Sequence, residues 1–192
     1  MRLPIVPLLI AAGLSTPATA NAARQPPVPN EPVAAVDLER YAGTWYEQAH
    51  LPMFFQRKCI ADTTAQYSVN PDGTVGVLNR CRTKDGSFNE ARGIARVVDG
   101  KTSTLEVRFA PQWLSWLPMV WGDYWVIALD EAEYRWAMVG SPGKDYLWIL
   151  SREPQLDPEI RSRLIDQARA MDYPVDKLVD TPQRSQDATP SG

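Results

Sequence analysis

Short strand-like segments recur along the chain, and turn residues separate them. Apolar and polar residues tend to alternate within each segment, which is typical of strands that bury one face. The pair Asp72-Gly73 is the strongest hairpin signal, because both residues tolerate the backbone conformation of a tight turn. Eight strands are predicted, at residues 44–50, 61–69, 74–82, 89–98, 104–110, 123–130, 135–140 and 145–151.

One segment near the C-terminus has helical periodicity instead. Asp157 is a good N-cap, and Pro158 suits the first position of a helix. The apolar residues that follow recur at helical spacing on one face, at Ile160, Leu164, Ala168 and Met171. A short last strand at residues 176–180 is predicted after this helix.

This order of elements predicts an all-β fold, an eight-stranded antiparallel up-and-down β-barrel with a C-terminal α-helix packed on the outside. Closing the sheet on itself removes the exposed edges of an open meander, and eight strands leave room for one small ligand. A two-sheet sandwich is the alternative, and it would usually need longer connections than this sequence has.

The first residues are typical of an export signal. Arg2 precedes a mostly apolar stretch, and small residues then favour cleavage after Ala20 or Ala22. The alternative is a buried N-terminal helix, which Pro4, Pro7 and Pro17 disfavour. The predicted organisation is a signal peptide at 1–22, an extended lead-in at 23–35, a barrel domain at 36–181 and a disordered tail at 182–192.

An export signal predicts an oxidising compartment, the periplasm. No cysteine that could carry a lipid lies near the predicted cleavage site. Cys59 and Cys81 are then most simply one disulfide, which would stabilise the fold by about 3 kcal/mol. The alternative is a pair of unpaired thiols. Hairpin counting places Cys81 opposite about Thr63, so the register leaves the bridge unexplained.

Charge and composition exclude several functions. The 20 basic residues are outnumbered by 23 acidic ones, and no basic run suggests nucleic-acid binding. One histidine and two cysteines leave little for a metal site or a nucleophile with its base. We therefore expect a binding protein with no catalytic residue, no metal and no cofactor.

Three motifs in the expected order resemble those of the lipocalin family. They are Gly43-x-Trp45 in the first strand, the segment 124–130 ending in Asp130, and the segment 145–152 ending in Arg152. The branch that the chain resembles is that of the bacterial lipocalins related to apolipoprotein D. The resemblance implies structural roles for these four residues: Trp45 closes the barrel base, and Arg152 lies across its ring.

The resemblance also implies a carrier of small hydrophobic molecules. The bacterial branch is associated with fatty acids and lysophospholipids, and many of its members are lipid-anchored to the outer membrane. This chain lacks the anchoring cysteine, so we expect an exported, soluble periplasmic protein whose contact with the outer membrane is at most peripheral.

Strand alternation, counted from the inward motif positions, assigns the faces of the barrel. The predicted ligand-binding residues are Ala65, Tyr67, Val77, Asn79, Val107, Phe109, Tyr124, Val126, Tyr146 and Trp148. Ala91, Gly93, Ala137 and Val139 are expected to face inward as well. The alternative is that these side chains fill the barrel and leave no cavity.

Two aromatic loops are expected at the open end of the barrel. One contains Phe54 and Phe55, and the other contains Trp113 and Trp116. Such loops mark a ligand portal, a membrane-touching rim or a dimer contact. The alternative is that they fold over the mouth and bury each other.

The leading functional hypothesis is a carrier or scavenger of lipids, either monomeric or homodimeric, with a part in membrane lipid maintenance or transport. A second hypothesis is an enzyme that uses Cys81 as a thiol nucleophile, with His50 as the single histidine available and expected to be solvated. A third is a protein-interaction module that uses the aromatic rim.

Overall fold

The computed structural model describes residues 28–111, 114, 117 and 120–184. The strands are β1 (Gly43–His50), β2 (Ala61–Val69), β3 (Val75–Arg82), β4 (Phe88–Val98), β5 (Lys101–Arg108), β6 (Gly122–Leu129), β7 (Trp136–Gly140), β8 (Leu147–Ser151) and β9 (Val179–Asp180). The α-helices are α1 (Leu38–Tyr41) and α2 (Pro158–Ala170), and short 3-10 helices span Phe54–Gln56 and Val175–Lys177.

The first eight strands form the predicted antiparallel barrel. Each strand from β2 to β8 pairs with its neighbours in the chain, and β1 closes the sheet by pairing with both β8 and β2. The hairpins β2–β3, β4–β5 and β6–β7 therefore lie at one end, which we call the closed end. The loops after β1, β3 and β7 lie at the other, the open end, where β5 ends and β6 begins.

The β4–β5 hairpin differs from the prediction, because β5 begins at Lys101 rather than at residue 104. Asp99 and Gly100 both have positive φ, 51° and 69°. That conformation is typical of a two-residue type I′ turn, which lets pairing continue up to the turn itself. The Asp-Gly signal in this turn was missed.

The predicted strand at 176–180 is mostly wrong. Residues Val175–Lys177 form a 3-10 helix, and only Val179–Asp180 pairs with β1, at Ala49 and His50. The physical reason is that β1 pairs with β2 only up to Tyr46. The backbone N–H and C=O groups of β1 are therefore free to pair with β9 only over the short stretch that follows.

Two apolar cores lie on opposite faces of the sheet. The inner core contains Trp45, Val126 and Leu150, and the outer core packs α2 against the barrel. Leu164 and Ala168 of α2 are fully buried, as the helical stripe predicts. Asp157 caps the helix by accepting hydrogen bonds from the backbone N–H groups of Glu159 and Ile160.

The N-terminal predictions fall largely outside the described residues. The signal peptide, with its cleavage positions Ala20 and Ala22, and residues 23–27 of the lead-in belong to that part of the chain. Residues 28–35 lie along the barrel, where Val33 N–H donates to the Val126 carbonyl at 2.8 Å.

The closed end is built on Trp45. Arg152 lies over its ring, with the guanidinium carbon 4.0 Å from the ring centroid. The Tyr41 ring packs at 4.8 Å between centroids, and the Trp45 indole donates to the Tyr41 carbonyl. Arg152 also donates to the carbonyls of Arg40 and Thr44, so that it ties α1 to β1. These contacts make a floor under the barrel.

Asp130, the remaining motif residue, lies at the same end. Its carboxylate accepts a hydrogen bond from Arg135 Nε at 2.9 Å, and its backbone pairs with Trp136 and Tyr134 across the β6–β7 turn. Asp130 therefore stabilises the conformation of the β6–β7 turn.

Near the open end, the C-terminal segment fills the gap between β1 and β2. Thr181 N–H donates to the Gln48 carbonyl of β1, and Asp62 N–H of β2 donates to the Pro182 carbonyl. The Gln183 amide donates to carbonyls of both strands, those of Glu47 and Thr63. Residues 182–184 thus complete the barrel wall, which corrects their assignment to the disordered tail; residues 185–192 lie outside the described part.

The same region explains the disulfide. Cys59 and Cys81 are bonded, with Cα atoms 5.4 Å apart. The β2–β3 register shifts between Ala61 and Thr64, and Asp62 has a φ of +51°. This bulge bends the start of β2 back toward β3, which brings the cysteines together despite their offset in a regular hairpin.

The floor leads to a prediction for Gly43, which has a φ of +95°. A Cβ atom there would lie 3.3 Å from Arg152 Nη1. Gly86 is a matched control, because it has a φ of +84° and nothing within 4 Å of the added atom. We expect Gly86→Ala to cost about 1 kcal/mol through backbone strain, and Gly43→Ala roughly 1–3 kcal/mol more because Arg152 is displaced.

Urea unfolding of the two variants and the wild type measures this difference. Equal losses in the two variants would contradict a structural role for the contact between Gly43 and Arg152.

Candidate ligand-binding site

A cavity of about 650 Å³ occupies the barrel between the floor and the open end. This volume lies within the usual range for small-molecule pockets. All ten predicted ligand-binding residues line it, namely Ala65, Tyr67, Val77, Asn79, Val107, Phe109, Tyr124, Val126, Tyr146 and Trp148. Strand alternation therefore places these side chains correctly, while their contact with a ligand stays a prediction.

Three other residues expected inside do not line the cavity. Ala137 and Val139 are fully buried in the inner core instead. Gly93 is covered by Phe109, whose ring would lie 2.8 Å from a Cβ atom at that position. Ala91, in contrast, does line the cavity. Alternation predicts which way a side chain points, but not whether its neighbours leave space beside it.

At the open end, Phe54 and Phe55 line the cavity and remain 72% and 51% exposed. Phe55 also contacts Tyr146 at 6.0 Å between ring centroids, and Tyr146 stacks on Trp148 at 5.9 Å. An aromatic wall therefore leads from the rim into the cavity. Trp113 and Trp116 lie outside the described residues.

Three tyrosine hydroxyls meet deep in the cavity. Tyr124 Oη lies 2.9 Å from Tyr41 Oη and 2.9 Å from Tyr67 Oη. Burial raises the pKa of all three phenols, that of Tyr67 to about 12, so the hydroxyls stay protonated at neutral pH. Tyr67 and Tyr124 were predicted to line the cavity; Tyr41 was missed because α1 gave no strand pattern to count.

A polar cluster lies on the cavity wall around Glu47, which is only 3% exposed. Its carboxylate accepts hydrogen bonds from Gln56 Nε2 at 2.7 Å and from Thr181 Oγ1 at 2.5 Å. Gln56 Oε1 in turn accepts from the Trp148 indole at 3.1 Å. Glu47 follows inward-facing Trp45 by two residues, so alternation could have found it.

Burial is the largest influence on Glu47 and raises the pKa of its carboxyl above the ordinary value of 4.5. The nearby His50 ring and the two donors act in the opposite direction but do not cancel the effect of burial. A carboxyl in this position favours the neutral form more than an exposed one does.

His50 is not solvated, contrary to the expectation. Its side chain is 13% exposed, and Nε2 lies 3.8 Å from Glu47 Oε1. Nδ1 is 2.7 Å from the Leu51 carbonyl oxygen. The start of the 51–60 loop and the C-terminal segment cover the end of β1, which strand periodicity alone does not reveal.

Cys81 lines the cavity but is bonded to Cys59, and no described cysteine is free. The hypothesis of a thiol nucleophile is therefore wrong for the oxidised chain. The described residues contain no group of three or more His, Cys, Asp or Glu side chains placed to hold a metal ion. No helix in this part of the chain is long and apolar enough to span a membrane.

Comparison with protein families gives one match that spans most of the chain. Residues 36–183 match the family model described as a lipocalin-like domain. The match begins at the edge of the barrel and includes β9 and residues 181–183 beyond it. It therefore covers both the floor and the wall of the cavity.

Curated relatives agree with this match. The chain is 42% identical over 156 residues to temperature-induced lipocalin-1 of Arabidopsis thaliana, covering 80% of this chain and 82% of the relative. It is 35% identical over 177 residues to outer membrane lipoprotein Blc of Escherichia coli K12, covering 91% and 95%. It is 32% identical over 182 residues to mouse apolipoprotein D, covering 90% of each. The resemblance to the bacterial and apolipoprotein D branch is confirmed.

The burial of Glu47 generates a prediction about pH. Because the folded chain keeps a proton on Glu47 at pH values where the unfolded chain has lost it, stability falls as pH rises above about 4.5. Glu47→Gln removes this contribution and still offers partners to Gln56 and Thr181. We expect the difference in unfolding free energy, wild type minus variant, to decrease as pH rises through that window.

Urea unfolding at a series of pH values measures the difference. Glu31→Gln, at an exposed position, is the matched control for the removal of one carboxyl group. A difference for Glu47→Gln that does not vary with pH would contradict the raised pKa of Glu47.

Proposed function

The chain belongs to the lipocalin family, whose members bind small hydrophobic ligands, and on this premise we propose that it is an exported carrier or scavenger of lipids. The ligand is a fatty acid, a lysophospholipid or a similar amphiphile, and it is held in the barrel cavity without covalent chemistry. Such a protein would serve membrane lipid maintenance or transport.

The observation that carries this proposal is the cavity itself. Its volume of about 650 Å³ suits one acyl chain, and apolar side chains such as Val77, Val107 and Leu105 make up most of its wall. One end is closed by the Trp45 floor, and Phe54 and Phe55 line the cavity at the other, open end. An amphiphile would place its acyl chain inside and its head group at this opening.

Export is supported by three features. The first 22 residues have the charge, apolar stretch and small residues of a signal peptide. A relative that the chain resembles over most of its length is named an outer membrane lipoprotein. The disulfide between Cys59 and Cys81 is also suited to an oxidising compartment such as the periplasm.

The carrier hypothesis is favoured over an enzyme because Cys81, the single nucleophile that the sequence suggested, is oxidised in the structure. It is favoured over a protein-interaction module because a folded interaction surface does not require an internal cavity. The aromatic residues at the open end are explained as a portal in this proposal.

Phe54 and Phe55 support a second role, peripheral contact with a membrane. Both rings are exposed, and they pack edge to face at 5.3 Å between centroids. Exposed aromatic rings partition well into the interface of a bilayer, and here they lie beside the cavity opening. Contact through them would let a lipid move between membrane and cavity without crossing water.

Native mass spectrometry of the exported protein, followed by organic extraction, tests the carrier function. Co-purified fatty acid or lysophospholipid would support it and would identify the accepted chain length. Protein that is empty and takes up no added lipid would contradict it. The intact mass also reports whether the disulfide is formed, and the mass of the assembly distinguishes monomer from homodimer.

Val126→Trp is the variant that tests the position of the ligand. Val126 is fully buried and lines the cavity, so the larger ring would fill space that a ligand needs. We expect the affinity for hexadecanoic acid to fall by roughly tenfold or more. Calorimetric titration measures the change.

Two further variants complete this experiment. Ala91→Trp fills the cavity from another strand, β4, and should also weaken binding. Gln66→Trp adds the same ring at an exposed position outside the barrel and should not. Unchanged affinity in folded Val126→Trp and Ala91→Trp would place the ligand elsewhere.

The membrane role predicts that the double variant Phe54→Ser, Phe55→Ser loses most of its binding to phosphatidylcholine vesicles. We expect a loss of roughly fivefold or more, because two exposed rings no longer enter the interface. Co-sedimentation with vesicles measures it. Val28→Ser, an exposed apolar residue beside the end of α2, is the control. Equal binding by all three proteins would contradict this role.

A further inference from the structure

The three tyrosine hydroxyls in the cavity leave one proton without an acceptor. Tyr41, Tyr67 and Tyr124 carry three O–H protons, and their oxygens make two mutual contacts, each of 2.9 Å. Each contact uses one proton. Among the described residues, no other hydrogen-bond partner reaches any of these hydroxyls. The third proton is therefore available for a hydrogen bond to a molecule bound in the cavity.

This proton lies in a part of the cavity that is otherwise apolar. The Tyr41 ring contacts Trp45 of the floor, and the three tyrosines share this depth with Leu105, Val126 and Leu150. A buried hydroxyl whose proton has no acceptor is unfavourable, because the hydroxyl has lost its hydrogen bonds to water. A hydrocarbon chain end at this depth would leave that cost in place, whereas an oxygen atom of a ligand would remove it.

We propose that the cavity is specific for amphiphiles that carry a neutral oxygen, a hydroxyl or a ketone, at the end that enters the barrel first. This inference rests on the proposed function and names the ligand class of the same site. The tyrosine hydroxyls bind that oxygen at the floor, while the charged or zwitterionic head of the amphiphile stays at the open end.

A neutral oxygen fits the floor better than a carboxylate does. The residues that line this depth include no lysine, arginine or histidine, as far as the described chain extends. Arg152 does not line the cavity: its guanidinium lies over the Trp45 ring and donates to the backbone carbonyls of Thr44 and Arg40. One free hydroxyl proton does not compensate the desolvation of a full negative charge.

Asn79 is a second, independent sign of a polar ligand. Its Oδ1 atom is buried and has no hydrogen-bond partner within the described part of the chain, although the side chain lines the cavity. Asn79 lies in β3, two residues beyond Val77 toward the open end. Val77 is the residue that pairs with Tyr67. The cavity therefore presents an unused donor at the floor and an unused acceptor on the wall above it.

The test compares two ligands that differ only at the buried end. Hexadecanoic acid ends in a methyl group, and ω-hydroxyhexadecanoic acid ends in a hydroxyl that can accept the free proton. We expect the wild type to bind the hydroxy acid about fivefold more tightly or better, which corresponds to one hydrogen bond. Calorimetric titration of the full chain with each acid measures the ratio.

The matching variant is the triple change Tyr41→Phe, Tyr67→Phe, Tyr124→Phe. All three changes are needed, since any hydroxyl that remains still carries a proton to donate. We expect this variant to lose the preference for the hydroxy acid, so that its affinities for the two acids become equal. Tyr46→Phe, on β1 but outside the cavity lining, should keep the preference.

The ratio of the wild-type affinities for the two acids tests the proposal even if the triple variant does not fold. Equal affinity of the wild type for the two acids overturns the proposal, including the case in which the carboxylate itself enters first. A preference that persists in the folded triple variant also overturns it, because another group must then bind the hydroxyl. If the wild type binds neither acid, the proposed function fails, and this result is distinct from binding both acids equally.

Discussion

The stack of Arg152 on Trp45 is the contact on which the rest of the barrel depends. An eight-stranded barrel with space at its centre lacks the side-chain contacts that a filled core would provide. The floor compensates at one end, because the guanidinium lies 4.0 Å above the indole and also ties α1 to β1. The outer core under α2 stabilises the same strands from outside. With one end closed in this way, the other end is able to stay open.

The open end depends on a different set of contacts. β1 and β2 separate there, and residues 181–184 fill the gap with backbone and side-chain hydrogen bonds to both strands. The disulfide joins the loop before β2 to β3 beside this gap. Glu47 links the C-terminal segment to the loop after β1 through Thr181 and Gln56. These contacts stabilise the rim of the cavity, through which the proposed ligand would enter.

Strand alternation explains how much of the site could be predicted. Once Trp45 was taken as inward-facing, all ten predicted positions fell on the cavity wall, because side chains of a strand alternate strictly between faces. The same rule fails at bulges. Between Glu47 and Ala49 the register shifts, so that Trp45 belongs to the inner core and Ala49 to the outer one. Such a shift depends on the positions of the N–H and C=O groups of the partner strand. It therefore cannot be predicted from the sequence of one strand alone.

The sequence by itself determined the order of the strands, the capped helix after them, the motif residues and the faces of most strands, because these follow from local periodicity and turn chemistry. The tertiary structure decided what happens where three or more segments meet. There Asp62 adopts a positive φ, and the Glu47 carboxyl is buried away from solvent. The hydroxyls of Tyr41, Tyr67 and Tyr124, which belong to three different elements, come into contact. The physical reason is that hydrogen bonding and desolvation depend on distances between segments far apart in the chain, and only the closed barrel sets those distances.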